Sequence, residues 1–124
     1  MKNLIGRFRI RGSILFYKGR KPRSEKLALE LSIAKFTKLL RYAKRYNRVV
    51  NNRGSDTCGL CMMFHDNDAC DGCPIAARAG QPYCQGTPYK ESVIAFFRRD
   101  VPAFITACES ELSMLKEMRE KTKE

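Results

Sequence analysis

Two closely spaced cysteine pairs constrain the fold of this 124-residue chain more than any other feature of its sequence. Cys58 and Cys61 enclose two residues, Cys70 and Cys73 enclose two more, and eight residues separate the pairs. One Cys-x-x-Cys pair can place two thiolates on a metal ion, so two pairs can complete a tetrahedral shell. The surrounding segment holds few large apolar side chains, and a metal crosslink can stabilise a segment that buries little apolar surface. The spacing therefore predicts an irregular zinc knuckle over residues 54–87.

A fifth cysteine, Cys84, complicates the ligand set, because five thiolates cannot all bind one zinc ion. Either Cys84 replaces one of the paired cysteines or it lies beside the site, and the sequence leaves both open. His65, between the pairs, is a less favoured substitute ligand. An iron–sulfur cluster is the alternative cofactor, since it also binds four thiolates and since a Cys-Pro step such as Cys73-Pro74 occurs in such proteins. Disulfides or free thiols are the third interpretation.

Length and composition limit the class of protein. A chain of 124 residues and 14.2 kDa predicts one domain, residues 1–124. Its start holds no apolar run typical of a signal peptide, and no run of about 18 apolar residues predicts a membrane span. Six cysteines are too few for a disulfide scaffold, which favours a reducing, cytoplasmic location. With one histidine and no glycine-rich phosphate loop, the sequence also favours a protein that is not an enzyme.

The net charge of +11 is unevenly distributed along the chain. Residues 1–53 contain 16 Lys or Arg and 2 acids, residues 54–87 contain 1 Arg and 4 Asp, and residues 88–124 contain 7 basic and 7 acidic residues. The basic first part predicts a polyanionic partner, with nucleic acid favoured over an acidic protein. Because the cysteine segment is acidic, we expect it to brace the basic part rather than to contact phosphates.

The basic part predicts a β-hairpin followed by a long helix. Residues 7–11 alternate between arginine and apolar side chains, Gly12-Ser13 suits a two-residue turn, and residues 14–17 predict the second strand. Ser24 is a favourable N-cap for a helix over about residues 25–47. An apolar stripe follows that helix at helical spacing, through Leu29, Ile33, Phe36, Leu40 and Ala43.

Helices are also predicted after the cysteine pairs. A short one covers residues 74–79, and Thr87-Pro88 predicts the start of another over about residues 88–99. A final helix follows over about residues 100–121, and Cys108 lies on its apolar face as a predicted core residue. The predicted fold class is α+β, mainly α, with an N-terminal hairpin, three helices and the zinc knuckle.

Two sets of basic residues are candidate contacts to a phosphate backbone. Alternate strand positions place side chains roughly 6.6 Å apart on one face, comparable to the phosphate spacing of a nucleic-acid strand. Tyr42 and Tyr46 flank the basic side of the helix and are candidate stacking residues. The hairpin set is Arg7, Arg9 and Arg11, and the helix set is Lys38, Arg41, Lys44, Arg45 and Arg48. No DNA-reading motif is recognised in the sequence, so the pattern favours backbone contacts over base readout.

The cysteine segment resembles small, mostly uncharacterised proteins of phages and related mobile elements. The resemblance covers about 32 residues and rests on the two Cys-x-x-Cys pairs, the Cys73-Pro74 step, the later Cys84 and the run Gly86-Thr87-Pro88-Tyr89. It implies a viral or mobile-element setting, with the host cytoplasm as the compartment, and it transfers no activity.

Together these patterns predict a small, basic, zinc-binding protein without enzymatic activity, which binds DNA or RNA mainly through the phosphate backbone in a regulatory role. The first alternative is a viral or mobile-element effector that binds an acidic protein of the host. In that case the last helix, which carries Met114 and Met118, supplies the partner face or a homodimer interface. The second alternative is an iron–sulfur protein.

Overall fold

The computed structural model describes residues 4–53, 57–64, 73–79 and 87–121. Its first element is a single 3-10 turn, Leu4–Arg7, which leads into strand β1 (Phe8–Arg11). The antiparallel strand β2 (Ile14–Tyr17) pairs with β1 in the register Phe8↔Tyr17 to Arg11↔Ile14. Both turn residues have a positive φ, 57° for Gly12 and 60° for Ser13, which is the backbone of the predicted two-residue turn.

The hairpin differs from its prediction at its first residue. Arg7 ends the 3-10 turn instead of starting the strand, so it does not share the alternation of Arg9 and Arg11. Its guanidinium is half-buried and donates to the Tyr17 hydroxyl at 3.2 Å, and that hydroxyl donates to the Arg20 carbonyl at 2.6 Å. Arg7 therefore anchors the hairpin to the loop that follows it.

The long helix α1 (Glu25–Tyr46) begins and ends as its capping residues predict. The Ser24 hydroxyl accepts from the Leu27 amide at 3.1 Å, and Asn47 closes the helix in the left-handed conformation. Burial is wider than the predicted stripe, because every residue from Ala28 to Phe36 except Glu30 is buried, including Ser32 and Lys35. The first half of α1 is therefore buried on nearly all sides and lies at the centre of the fold.

The chain after α1 returns to the hairpin. Asn51 forms a parallel bridge with Ile14, in which the Asn51 amide donates to the Ser13 carbonyl and the Leu15 amide donates to the Asn51 carbonyl, both at 2.8 Å. The residues after the helix are thereby fixed beside the hairpin turn. The bridge also carries Arg53 to the hairpin, where its guanidinium lies 5.4 Å from the centre of the Phe16 ring.

Two short helices lie in the cysteine segment. Helix α3 (Pro74–Ala79) is the predicted one, whereas α2 (Gly59–Phe64) falls where no helix was predicted. Leu60 of α2 and Ile75 of α3 are both buried in the common core. These helices therefore contribute apolar residues to the domain, in addition to carrying cysteines.

Helices α4 (Pro88–Arg98) and α5 (Val101–Lys121) complete the fold, close to their predicted bounds. Thr87 precedes α4 with an extended backbone, and the chain turns at Arg99, which has a φ of 55°. Helix α5 packs against both α1 and α4 and buries Phe104, Cys108 and Leu115 completely. The predicted class, α+β and mainly α with an N-terminal hairpin, is confirmed. Among the described residues, no helix combines the length and the apolar character needed to cross a bilayer.

Candidate metal centre and nucleic-acid interface

The first cysteine pair is formed by the start of α2. Cys58 directly precedes the helix and Cys61 lies in its first turn, where the Cys61 amide donates to the Cys58 sulfur at 3.4 Å. The Ser32 hydroxyl lies 3.8 Å from the same sulfur. The pKa of Cys58 is lowered to about 5, chiefly because its sulfur accepts a hydrogen bond from the Cys61 thiol. Burial acts in the opposite direction, and the positive charge of Lys35 lowers the pKa further. A thiolate is the form that binds a metal, so the lowered pKa suits Cys58 to the role of a metal ligand.

Gly59 allows this pair to lie against α1. The φ of Gly59 is not in the positive range, so its backbone conformation does not require a glycine. What excludes a larger residue is space, because a Cβ atom at Gly59 would lie 2.5 Å from the Ala28 carbonyl oxygen and 2.9 Å from the Leu31 Cβ. The Cys-Gly-Leu-Cys loop is therefore held in direct backbone contact with the central helix.

The remaining predicted ligands are divided by the described ranges. Cys73 is buried at the start of α3, where its carbonyl accepts from the Ala77 amide at 3.0 Å. Cys70, Cys84 and His65 lie outside the described residues. Within the described ranges, no three His, Cys, Asp or Glu side chains converge as a metal site, so Cys58 and Cys61 are the pair that the structure brings together. Four-thiolate binding remains a prediction.

A pair of buried ionisable residues lies near Cys58 and was not predicted from the sequence. Lys35 of α1 is 1% exposed and Glu111 of α5 is 2% exposed. The Lys35 ammonium lies 5.6 Å from the Phe36 ring centre and 5.8 Å from that of Tyr89. Burial, reinforced by the Cys58 thiolate and opposed by Lys35, raises the pKa of Glu111 to about 7. Helical spacing was the signal that could have found both, because Lys35 lies four residues from Leu31 and from Leu39, and Glu111 lies between Cys108 and Leu115.

Cys108 is separate from the metal candidates. It is fully buried on α5, as its position on the apolar face predicted. Burial raises the pKa of its thiol to about 12, and the nearby Glu111 acts in the same direction. It is a neutral core residue.

The outer face of the hairpin forms one basic surface. Directly opposed residues of an antiparallel pair share a face, so Arg9 lies beside Phe16 and Arg11 beside Ile14. Arg9 and Arg11 are exposed, and so is Phe16, over which Arg53 lies. Phe8 and Leu15 point to the opposite side and are buried. This surface thus presents one aromatic ring and two arginines of the hairpin, together with Arg53 from the segment after α1.

The predicted basic side of α1 is less uniform. Lys44 forms an ion pair with Glu109 of α5 at 3.2 Å, and Lys38 is half-buried. Arg41 and Arg45 are exposed, and the Arg45 guanidinium lies 5.5 Å from the centre of the Tyr46 ring. Tyr46 itself packs against Tyr42 with ring centres 4.7 Å apart. This face therefore offers two exposed arginines beside a tyrosine.

Arg48 does not lie on α1, which is a correction to the predicted helical stripe. The helix ends at Tyr46 and Asn47 adopts a left-handed conformation, so the chain changes direction before Arg48. Arg48 instead lines an open groove of about 660 Å³ beside the hairpin turn. The described residues that line this groove are Gly12, Ser13, Ile14, Asn47, Arg48, Val49, Asn51, Phe96, Phe97, Arg99 and Val101. We call it the arginine groove, since its lining includes two arginines and, among the described residues, no acid.

Comparisons with protein-family models, curated proteins and solved structures found no match to this chain. The resemblance to phage and mobile-element proteins therefore stays a prediction.

Proposed function

We propose that this protein binds nucleic acid through its phosphate backbone, without enzymatic activity, and that the hairpin face and the arginine groove form the interface. The observation that carries this proposal is the clustering of arginines on one side of the fold. Arg9 and Arg11 project from the hairpin, while Arg48 lines the groove that the hairpin turn borders. Arginine is suited to phosphate, because its planar guanidinium forms paired hydrogen bonds with the oxygens.

Charge balance distinguishes the arginine groove from those basic residues that are paired with acids. Lys44 is paired with Glu109, and Arg119 of α5 is paired with Glu30 at 3.1 Å. By contrast, no described acidic side chain lies in the arginine groove. A concave surface of one sign concentrates the field that attracts a polyanion.

The test is the salt dependence of binding. Fluorescence anisotropy with labelled DNA and RNA, single-stranded and duplex, would measure affinity at several salt concentrations. We expect the logarithm of affinity to fall linearly with the logarithm of salt, because bound phosphates release counterions. In the double variant Arg9→Gln with Arg11→Gln, the slope should fall by roughly 1.4–1.8, since each lost phosphate contact removes about 0.7–0.9.

A matched control removes the same charge elsewhere. Lys116 and Lys121 are exposed near the end of α5, so replacing both with glutamine should leave the slope close to that of the unmodified protein. Absence of binding to all four probes would contradict the proposed function. An equal effect of the two double variants would show that net charge alone, and not this surface, determines binding.

We further propose that Cys58 and Cys61, with Cys70 and Cys73 or with Cys84 in place of one of them, hold a structural zinc ion. The short contact between the Cys61 amide and the Cys58 sulfur supports this, since it favours the thiolate. Metal analysis and an absorption spectrum of anaerobically purified protein distinguish the cofactors. One zinc per chain in a colourless sample supports the proposal, whereas bound iron with visible absorption supports the iron–sulfur alternative.

A further inference from the structure

The most exposed aromatic side chain described in this structure lies on α4. Phe97 is 75% exposed, whereas its neighbour Phe96 is half-buried and meets it edge to face, with ring centres 5.3 Å apart. A phenylalanine this exposed contributes little to the stability of the fold. A single exposed apolar side chain is ordinary on a protein surface, so the surroundings of Phe97 decide its role.

Phe97 lines two cavities. One is the arginine groove, whose lining also includes Arg48 and Arg99. The other is a smaller cavity of about 180 Å³, whose lining also includes Arg53. Each cavity that the ring borders therefore contains an arginine. Cations beside an exposed aromatic ring are the combination with which single-strand binding proteins contact phosphates and bases.

The lining of the arginine groove leaves space beside the ring. Gly12 has no side chain and that of Ser13 is small. The volume of the groove lies within the range of about 300–1,000 Å³ that holds small organic ligands. Asn47 is exposed there, and its amide can donate to and accept from a base edge. Asp100 follows Arg99 in sequence, but its carboxylate accepts from the Ala103 amide at 3.2 Å and caps the start of α5.

We propose that Phe97 stacks on an unpaired base of a single-stranded nucleic acid, while the arginines that line the two cavities bind the neighbouring phosphates. This inference rests on the proposed function and adds the class of nucleic acid. A duplex keeps both faces of each base stacked on neighbouring pairs, so an exposed ring gains no stacking energy from it. A single strand offers bases whose faces are free, and every base can stack regardless of sequence.

The first experiment uses a fluorescent reporter at position 97. The chain contains no tryptophan, so Phe97→Trp places a single indole at the proposed stacking position. Titration with oligothymidylate of about 16 nucleotides should quench that fluorescence, because a base stacked on the indole removes its emission. Ile94→Trp is the matched control, since Ile94 is 47% exposed on the same helix and lines neither cavity. Its emission should change little.

The second experiment measures affinity. Phe97→Ala should weaken binding to the single strand by roughly 5- to 150-fold, the effect of losing one stacked base, and should leave duplex binding within about twofold. Ile94→Ala should change neither. Since both side chains are exposed, the variants should melt within a few degrees of the unmodified protein, which thermal unfolding checks.

The outcomes separate this inference from the proposed function. Salt-dependent binding that is equal for duplex and single strand, with no effect of Phe97→Ala, overturns the stacking site and leaves backbone binding intact. No binding to any nucleic acid overturns both. Polyglutamate tests the acidic-protein alternative. If it displaces the oligonucleotide at equal charge concentration, and if it quenches the fluorescence of Phe97→Trp as strongly as the oligonucleotide does, stacking is overturned in favour of a site for an acidic protein.

Discussion

Glu111 and Lys35 show how much of this fold depends on single buried residues. The two side chains belong to α5 and α1, the helices that form the centre of the domain, and both are almost completely buried. Among the described residues, the Glu111 Oε1 atom has no hydrogen-bond partner. An ionised carboxylate in such a place is costly, because little compensates for the water it has lost. Composition cannot predict this cost, since it depends on which helix covers the residue.

The pKa of Glu111 predicts a specific dependence of stability on pH. Burial and the negative charge of the Cys58 thiolate raise that pKa, whereas Lys35 and the hydrogen bond from the Tyr89 amide lower it. The net effect is a rise from 4.5 to about 7. The folded protein therefore binds more protons than the unfolded chain between about pH 4.5 and 7, so the free energy of unfolding falls as pH rises through this window. At pH 8 the full penalty applies, up to about 3 kcal/mol.

We expect Glu111→Gln to remove this penalty. Chemical denaturation at intervals from pH 4.5 to 8 should give a difference in stability between variant and unmodified protein that grows with pH in favour of the variant. Glu109→Gln is the control, because Glu109 is half-exposed on the same helix and pairs with Lys44 at the surface. A difference that does not change with pH would show that Glu111 has an ordinary pKa.

At the scale of elements, the contact between α1 and α2 links the cysteine segment to the domain. Cys-x-x-Cys spacing predicted the pair, but not that a helix would form there or that Gly59 would touch the backbone of α1. Both follow from tertiary packing, in which Leu60 is drawn into the core. The bounds of α1 and α4 could be predicted, since Ser24 and Thr87-Pro88 are local signals that act within one turn.

Gly59→Ala tests this contact. The new methyl group would collide with the Ala28 carbonyl and the Leu31 Cβ, and because the nearer atom is backbone, a helix must shift. We expect the free energy of unfolding to fall by about 2–3 kcal/mol, as for other overpacked sites. Thermal and urea unfolding measure the loss, and metal content should fall with it.

A second glycine serves as the control for this variant. Gly12→Ala introduces the same methyl group at a positive φ, where no atom lies within 4 Å, so it reports backbone strain alone and should cost about 1 kcal/mol. Metal content should be unchanged in that variant. Equal losses for the two variants would mean that Gly59 is not a packing contact.

Over the whole molecule, most of the core belongs to three long helices, to which the cysteine segment adds Leu60 and Ile75. Helices α1, α4 and α5 have 22, 11 and 21 residues, and α5 packs against both of the others, whereas α2 and α3 have 6 residues each. The charge tally along the sequence was enough to predict a basic part apart from the cysteine segment. It could not predict that Phe97 and Arg99, from the neutral last part, would complete a surface with Arg48. Such a surface depends on the tertiary fold, which brings α4 to the hairpin turn.

This division predicts a partial response to removal of the proposed zinc ion. A chelator under reducing conditions should leave at least about four-fifths of the helical circular dichroism signal, because the three long helices supply most of it. Zinc fingers, by contrast, unfold without their metal. Stability should still fall by about 3 kcal/mol or more, which lowers the melting midpoint by roughly 10 °C or more, since Leu60 and Ile75 depend on the segment for their burial. Cys58→Ser should melt at the chelated midpoint and ignore the chelator. Cys108→Ala changes a core cysteine outside the cluster, so this variant should keep the full response to chelation. A complete loss of the helical signal when the unmodified protein is chelated would show that the metal is required for the whole domain.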